Sequence, residues 1–135
     1  ILNSASEYMS VVDARLLIKP KEFSYDETYQ LPSTLYLAVT DESNDLLANL
    51  TDLSGQIVQS PIYYTSDDKQ PYYLFSAIRF VRSFIKQKAD NSESSMALIV
   101  LPADLESASS FKRLVVDDYT QYAENVQLQI YYVTY

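Results

Sequence analysis

The chain has 135 residues, a formal charge of −8, a single glycine, and neither histidine nor cysteine. One glycine cannot build a phosphate-cradling loop, and without His or Cys the usual zinc, haem and iron–sulfur sites lose their ligands, as do Ser–His and Cys–His nucleophilic pairs. Hydrophobic residues at 47% supply the core of one domain, while the acidic balance repels a phosphate backbone, so neither disorder nor nucleic-acid binding is expected.

Residues 1–10, ILNSASEYMS, read as a short helix or a loose arm. VVDARLLIKP alternates, with Val12, Ala14, Leu16 and Ile18 on one side and Val11, Asp13, Arg15, Leu17 and Lys19 on the other, which predicts a strand ending at Pro20. KEFSYDETYQLPS is polar and broken by Pro32. It divides the chain into an N-terminal arm, strand and linker (1–33) and an α/β body (34–135). STLYLAVTDES is the clearest strand, and DESND stops it.

Leu46, Leu47, Leu50 and Leu53 fall at helical spacing until Ser54-Gly55 ends the run, and a short strand is expected from Ile62 to Thr65. The segment DDKQPYYLFSAIRFVRSFIKQKA predicts a helix capped by Asp67 or Asp68, with Pro71 near its start. Its apolar stripe is Leu74, Ala77, Ile78, Val81, Phe84 and Ile85, and Lys86 and Lys88 sit in its last turn. MALIVL has no alternation and reads as a strand covered on both faces. Ser107 to Glu124 predicts a second helix, and VQLQIYYVTY closes the chain as a strand, with Val126, Leu128, Ile130 and Tyr132 on one side. Together these predict an α/β fold, with α+β as the alternative. Its core would be a mixed sheet of about four to five strands packed by two main helices, with at least one right-handed parallel crossover.

Few residues suggest chemistry. Asp104, just beyond MALIVL, could hold Mg²⁺ or act as an acid or base, but Asp104 or Ser107 also suits a helix N-cap. Asp117 and Asp118 are adjacent on the predicted helix and point about 100° apart, so they do not converge on one ligand. The acids of residues 41–45 lack the glycine and spacing of a calcium loop. Asn49-Leu50-Thr51 matches a glycosylation acceptor. No metal or cofactor is expected. The 13 tyrosines carry a different suggestion: Tyr63, Tyr64, Tyr131, Tyr132 and Tyr135 stand out, and Tyr131 and Tyr135, with Val133, share one face of the last strand. An edge strand of this kind is a place for a protein partner or a second copy to add.

From "QLPSTLYLAVTDES" through "IYYTS", "PYYLFSAIRFVRSFIKQK", "ALIVLPADLES" and "SSFKRLVVDDYTQYAE" to "VQLQIYYVTY", residues 31–135 resemble in order and length the periplasmic domain of the ExbD/TolR family. That resemblance implies a partner domain of an ion-driven envelope motor. The family's functional Asp lies in a membrane helix with no counterpart here, and residues 1–30 also have none. The chain begins at Ile1, so any signal peptide, lipid anchor or membrane segment is expected upstream. The expected function is therefore a non-enzymatic, envelope-associated interaction domain in a periplasmic or, alternatively, cytoplasmic setting. The competing expectations are a carboxylate-based, Mg²⁺-binding receiver-like or enzymatic domain, and a lipoprotein of a secretion machine.

Overall fold

A computed structural model describes residues 9–27, 30–41, 43, 45–90, 96–102 and 125–134. Within them lie eight strands and one helix: β1 (Met9–Ile18), β2 (Thr34–Thr40), β3 (Leu46–Asn49), β4 (Gln59–Pro61), β5 (Tyr63–Tyr64), β6 (Pro71–Ser76), α1 (Ile78–Ala89), β7 (Ala97–Pro102) and β8 (Val126–Thr134). The fold is mixed but dominated by strands. The second expected helix, residues 107–124, falls outside the described residues.

Two four-stranded sheets replace the single expected one. The first runs β5-β6-β1-β8, and the second is built on β2, with β7 along one edge and β3 and β4 sharing the other. All six strand pairings are antiparallel, so the described residues contain no parallel crossover. MALIVL contributes a strand, β7, but its side chains are partly exposed instead of covered on both faces as expected, and among the described residues it pairs with β2 alone. A run of apolar residues marks a strand without fixing its direction or what covers it.

β1, which includes the strand read from sequence within the N-terminal segment 1–33, is an interior strand flanked by β6 and β8. Its alternation is broken by a β-bulge between Val11 and Asp13. The extra residue, Val12, turns outward at 52% exposure, while Val11 joins Ala14 in the core, the reverse of strict alternation. Arg82 of α1 pins this bulge, donating from Nε and from one terminal nitrogen to the Val11 carbonyl at 3.1 and 2.9 Å.

The largest correction concerns residues 67–77. Pro71–Ser76 is strand β6, and the helix begins only at Ile78. PYYLFS alternates strictly between buried and half-buried, with Tyr73 and Phe75 inward, and is zipped onto β1 from Arg15/Ser76 to Ile18/Tyr73. Aromatic residues suit a pleated, half-buried surface, and the waiting edge of β1 supplies the hydrogen bonds. Asp67 and Asp68 sit instead in the β5–β6 turn, where the Thr65 hydroxyl donates to the Asp68 carboxylate at 2.6 Å and Lys69 adopts φ +56°. That hydrogen bond is the main cause holding the Asp68 carboxyl below its usual range.

Residues 46–61 form a hairpin instead of a helical stretch. β3 and β4 pair with opposite halves of β2, and the segment between them leaves the sheet as an arm closed by Thr51/Ile57. The Asp52 carboxylate closes the tip. It accepts the Ser54 hydroxyl at 2.6 Å and the Ser54 and Gln56 N–H groups, while Gly55 takes the φ of +89° that L-residues rarely adopt. The Ser54 hydroxyl is the first cause of an Asp52 pKa held below its ordinary value. The folded tip therefore prefers the carboxylate. Its contribution is present above the ordinary carboxyl pKa of about 3.9 and is lost as pH falls through the lower folded value. An NMR titration is expected to place the midpoint for the Ser54 and Gln56 amides below the ordinary Asp value. A midpoint at that value would mean that these bonds do not persist in solution.

The core lies between the sheets. Ile18, Tyr73 and Phe75 of the first meet Leu35 and Leu37 of the second, with Leu50 and Val58 from the hairpin. A second cluster forms where α1 lies on β1: Val11 and Ala14 below, Ala77, Ile78 and Val81 above, with Ile130 of β8 packed against it. Full burial of one large apolar side chain contributes roughly 1.5–3 kcal/mol. The chain passes from one sheet to the other through β4 and β5, bending at Ile62 between them.

Candidate interaction surface

β8 terminates its sheet, and among the described residues no strand pairs on its outer side. Its nine-residue ladder with β1 runs from Val126/Ile18 to Thr134/Met9, so the strand is rigidly placed. Ile130 packs against the cluster between α1 and β1. On either side of it Leu128 and Tyr132 are 41% and 49% exposed, although alternation assigns both to the inner face. On the opposite face Tyr131 and Val133 are each 47% exposed. These two belong to the tyrosine-bearing face read from the sequence, whereas Tyr135 lies outside the described residues.

The Tyr131 ring lies 5.5 Å from the Arg15 guanidinium, and Arg15 pairs with Asp13 at 2.9 Å. Both charges are partly exposed, so this pair holds the ring in place more than it stabilises the fold. Further across the same sheet face, Tyr63 of β5 stacks on Tyr72 of β6 with centroids 5.5 Å apart. The tyrosines singled out from composition thus reach the same sheet from widely separated parts of the chain. Tyr132 is among the tyrosines that stand out in the sequence, but its exposure and that of Leu128 on the inner side are not anticipated there, because alternation marks which face a residue takes but not what covers it.

Phe23 is a further exposed aromatic, at 97% exposure and φ +63°. It sits in a turn held by the Ser24 hydroxyl donating to the Lys21 carbonyl at 2.6 Å. Nothing in the local sequence signals a bulky residue in the left-handed region. Nearby, burial and then the charge of Glu22 push the Tyr25 phenol above its ordinary pKa. The shallow depression that Tyr25 lines with Asp26 and Tyr64 measures about 320 Å³ and offers one carboxylate.

The acids considered for chemistry do not converge among the described residues. Asp41 accepts the N–H groups of Ser43 and Asp45, both at 2.9 Å, and so acts as a turn residue. No group of three or more acids that could hold a metal ion occurs among the described residues. Asp104, Ser107, Asp117 and Asp118 lie outside them. Asn49 is exposed at the end of β3, and the Thr51 hydroxyl of the same motif accepts a hydrogen bond from Arg79 at 3.0 Å. Among the described residues no helix is long and apolar enough to cross a membrane. Compared with protein-family models, curated proteins and solved structures, the chain matches none.

Proposed function

We propose that this chain is a non-enzymatic protein–protein interaction domain, serving as an accessory subunit of a bacterial envelope or transport assembly. The observation that carries the interaction reading is β8: a terminal strand with apolar or aromatic side chains exposed on both faces at Leu128, Tyr131, Tyr132 and Val133. Tyrosine suits such a surface because its body is apolar, its tip tolerates water, and few rotamers are lost on contact. The envelope setting rests on the resemblance in element order over residues 31–135 alone.

A photo-reactive amino acid at Tyr131 tests the reading in cells that make the chain naturally, with the same group at exposed Ser83 on α1 as the control. Protein adducts, of its own copy or of another chain, are expected at 131 and not at 83. Equal yields at both positions, or none at 131, would overturn it. So would a rise in melting temperature with millimolar Mg²⁺ together with turnover of a small substrate.

A further inference from the structure

We propose that the partner at β8 is a second copy of this chain, paired antiparallel about a two-fold axis through Ile130; this rests on the interaction reading above. The direction of the backbone groups comes first. The Lys19 N–H donates to the Asn125 carbonyl at 2.8 Å. In an antiparallel ladder, alternate residues address the same neighbour. Odd-numbered residues of β8 therefore turn their N–H and C=O toward β1. Val126, Leu128, Ile130, Tyr132 and Thr134 turn theirs off the edge. The bulge sits on β1, so this phase runs unbroken along β8.

Placed against its own copy, β8 pairs along its whole length in one register. Ile130 meets Ile130, Leu128 meets Tyr132, and Val126 meets Thr134, each pair exchanging two backbone hydrogen bonds. On the other face Gln129 meets Tyr131 and Gln127 meets Val133. Aliphatic and aromatic groups thus oppose each other on the helix side, and an amide opposes an amphipathic or apolar group on the other.

No charged side chain of β8 opposes a copy of the same strand. VQLQIYYVT carries no charge and no proline, so two of the usual protections of an edge are missing. A chain of net charge −8 attracts cationic peptides in general, but β8 offers them no carboxylate. The flanking Asp13 and Arg15 neutralise one another. A neutral, half-apolar strand matches this edge, and β8 itself is one. The product is a single eight-stranded antiparallel sheet. Growth beyond the dimer is discouraged because the far edge of each sheet, β5, is only the two residues Tyr63–Tyr64.

Sedimentation equilibrium of the intact chain tests the proposal, with circular dichroism confirming that each variant is folded. The wild-type chain is expected to dimerise, and more tightly as salt screens the repulsion between two acidic bodies. Tyr132→Pro removes an outward N–H and leaves the ladder to β1 intact. It is expected to weaken dimerisation by about 100-fold or more, since symmetry applies the change twice. The chain has no cysteine, so Ile130→Cys introduces the only thiol. On the axis the two Cα atoms lie about 5.5 Å apart, within disulfide reach, and mild oxidation is expected to link the dimer. Leu128→Cys, offset by four residues and so about 13 Å from its mate, is expected not to link. A wild-type monomer at every concentration up to the solubility limit would overturn self-pairing. So would a dimer indifferent to Tyr132→Pro, or equal linking by both cysteine variants. If the chain is monomeric but Tyr131 cross-links to a foreign protein, self-pairing fails and the interaction reading stands. If Tyr131 forms no protein adduct, both fail.

Discussion

Truncating Phe75 to Ala is expected to destabilise the chain by about 3–5 kcal/mol, the range for a large aromatic removed from a packed core. Phe75 is 1% exposed and belongs to the cluster joining the two sheets, with Leu35 and Leu37 across the interface. Its loss removes transfer free energy and leaves a cavity that β6, zipped onto β1 at this position, cannot collapse to fill. Domains of this size are stable by only about 5–15 kcal/mol, so the change takes a large share of the total. Urea denaturation followed by circular dichroism checks it. Phe23→Ala, at the fully exposed turn, is the internal control and is expected to shift the midpoint little. A loss below about 1 kcal/mol for Phe75→Ala would mean that the two sheets do not share this core.

The second expected result is a loss of about 1–3 kcal/mol for Ser60→Ala, large for the removal of one oxygen atom. Ser60 is fully buried at the sheet crossing. Its hydroxyl donates to the Pro61 carbonyl at 2.7 Å and accepts the Leu74 N–H at 3.0 Å. β5 pairs only with Pro71 and Tyr72, so by Leu74 the backbone partner on that side has bent away. The serine hydroxyl completes the β6 ladder where the strand cannot. Alanine leaves the Leu74 N–H without that partner, and the desolvation cost of an unmade bond exceeds the net worth of a made one. Amide exchange at Leu74 is expected to accelerate in the variant, while Ser83→Ala on the exposed side of α1 changes neither stability nor that amide. Unchanged protection at Leu74 would show that the hydroxyl is not its partner. Tyr73 makes a comparable link, its buried hydroxyl donating to the Pro32 carbonyl at 2.5 Å and tying β6 to the approach to β2.

Much of the strand content was legible. Thr34–Thr40 forms the expected strand, because a period of two in β-branched and aliphatic residues has one comfortable backbone. Val126–Thr134 follows the same rule, and its exposed Tyr131 and Val133 lie on the face anticipated from alternation. Residues 78–89 are helical as expected, with Ile78, Val81 and Ile85 directed at β1. What failed were segments compatible with two periods. LLAN and PYYLFS can be read at helical or strand spacing, and isolated short helices are marginal in water, so an available sheet edge settles the choice. The edge of β1 claimed one segment and the edge of β2 the other.

The amino-acid sequence by itself determined the lack of imidazole and thiol ligands, the acidic balance, and the identity of its well-patterned elements, since these follow from side-chain inventory and local backbone sterics. Tertiary structure alone decided the antiparallel direction of the strands, the bulge that exchanges Val11 for Val12, the sheet crossing sealed by Ser60, and the place of β8 at the end of its sheet among the described residues. Those depend on which distant edge offers its N–H and C=O groups and on what covers each face of the sheet. A partner many residues away in the chain leaves no mark on local periodicity.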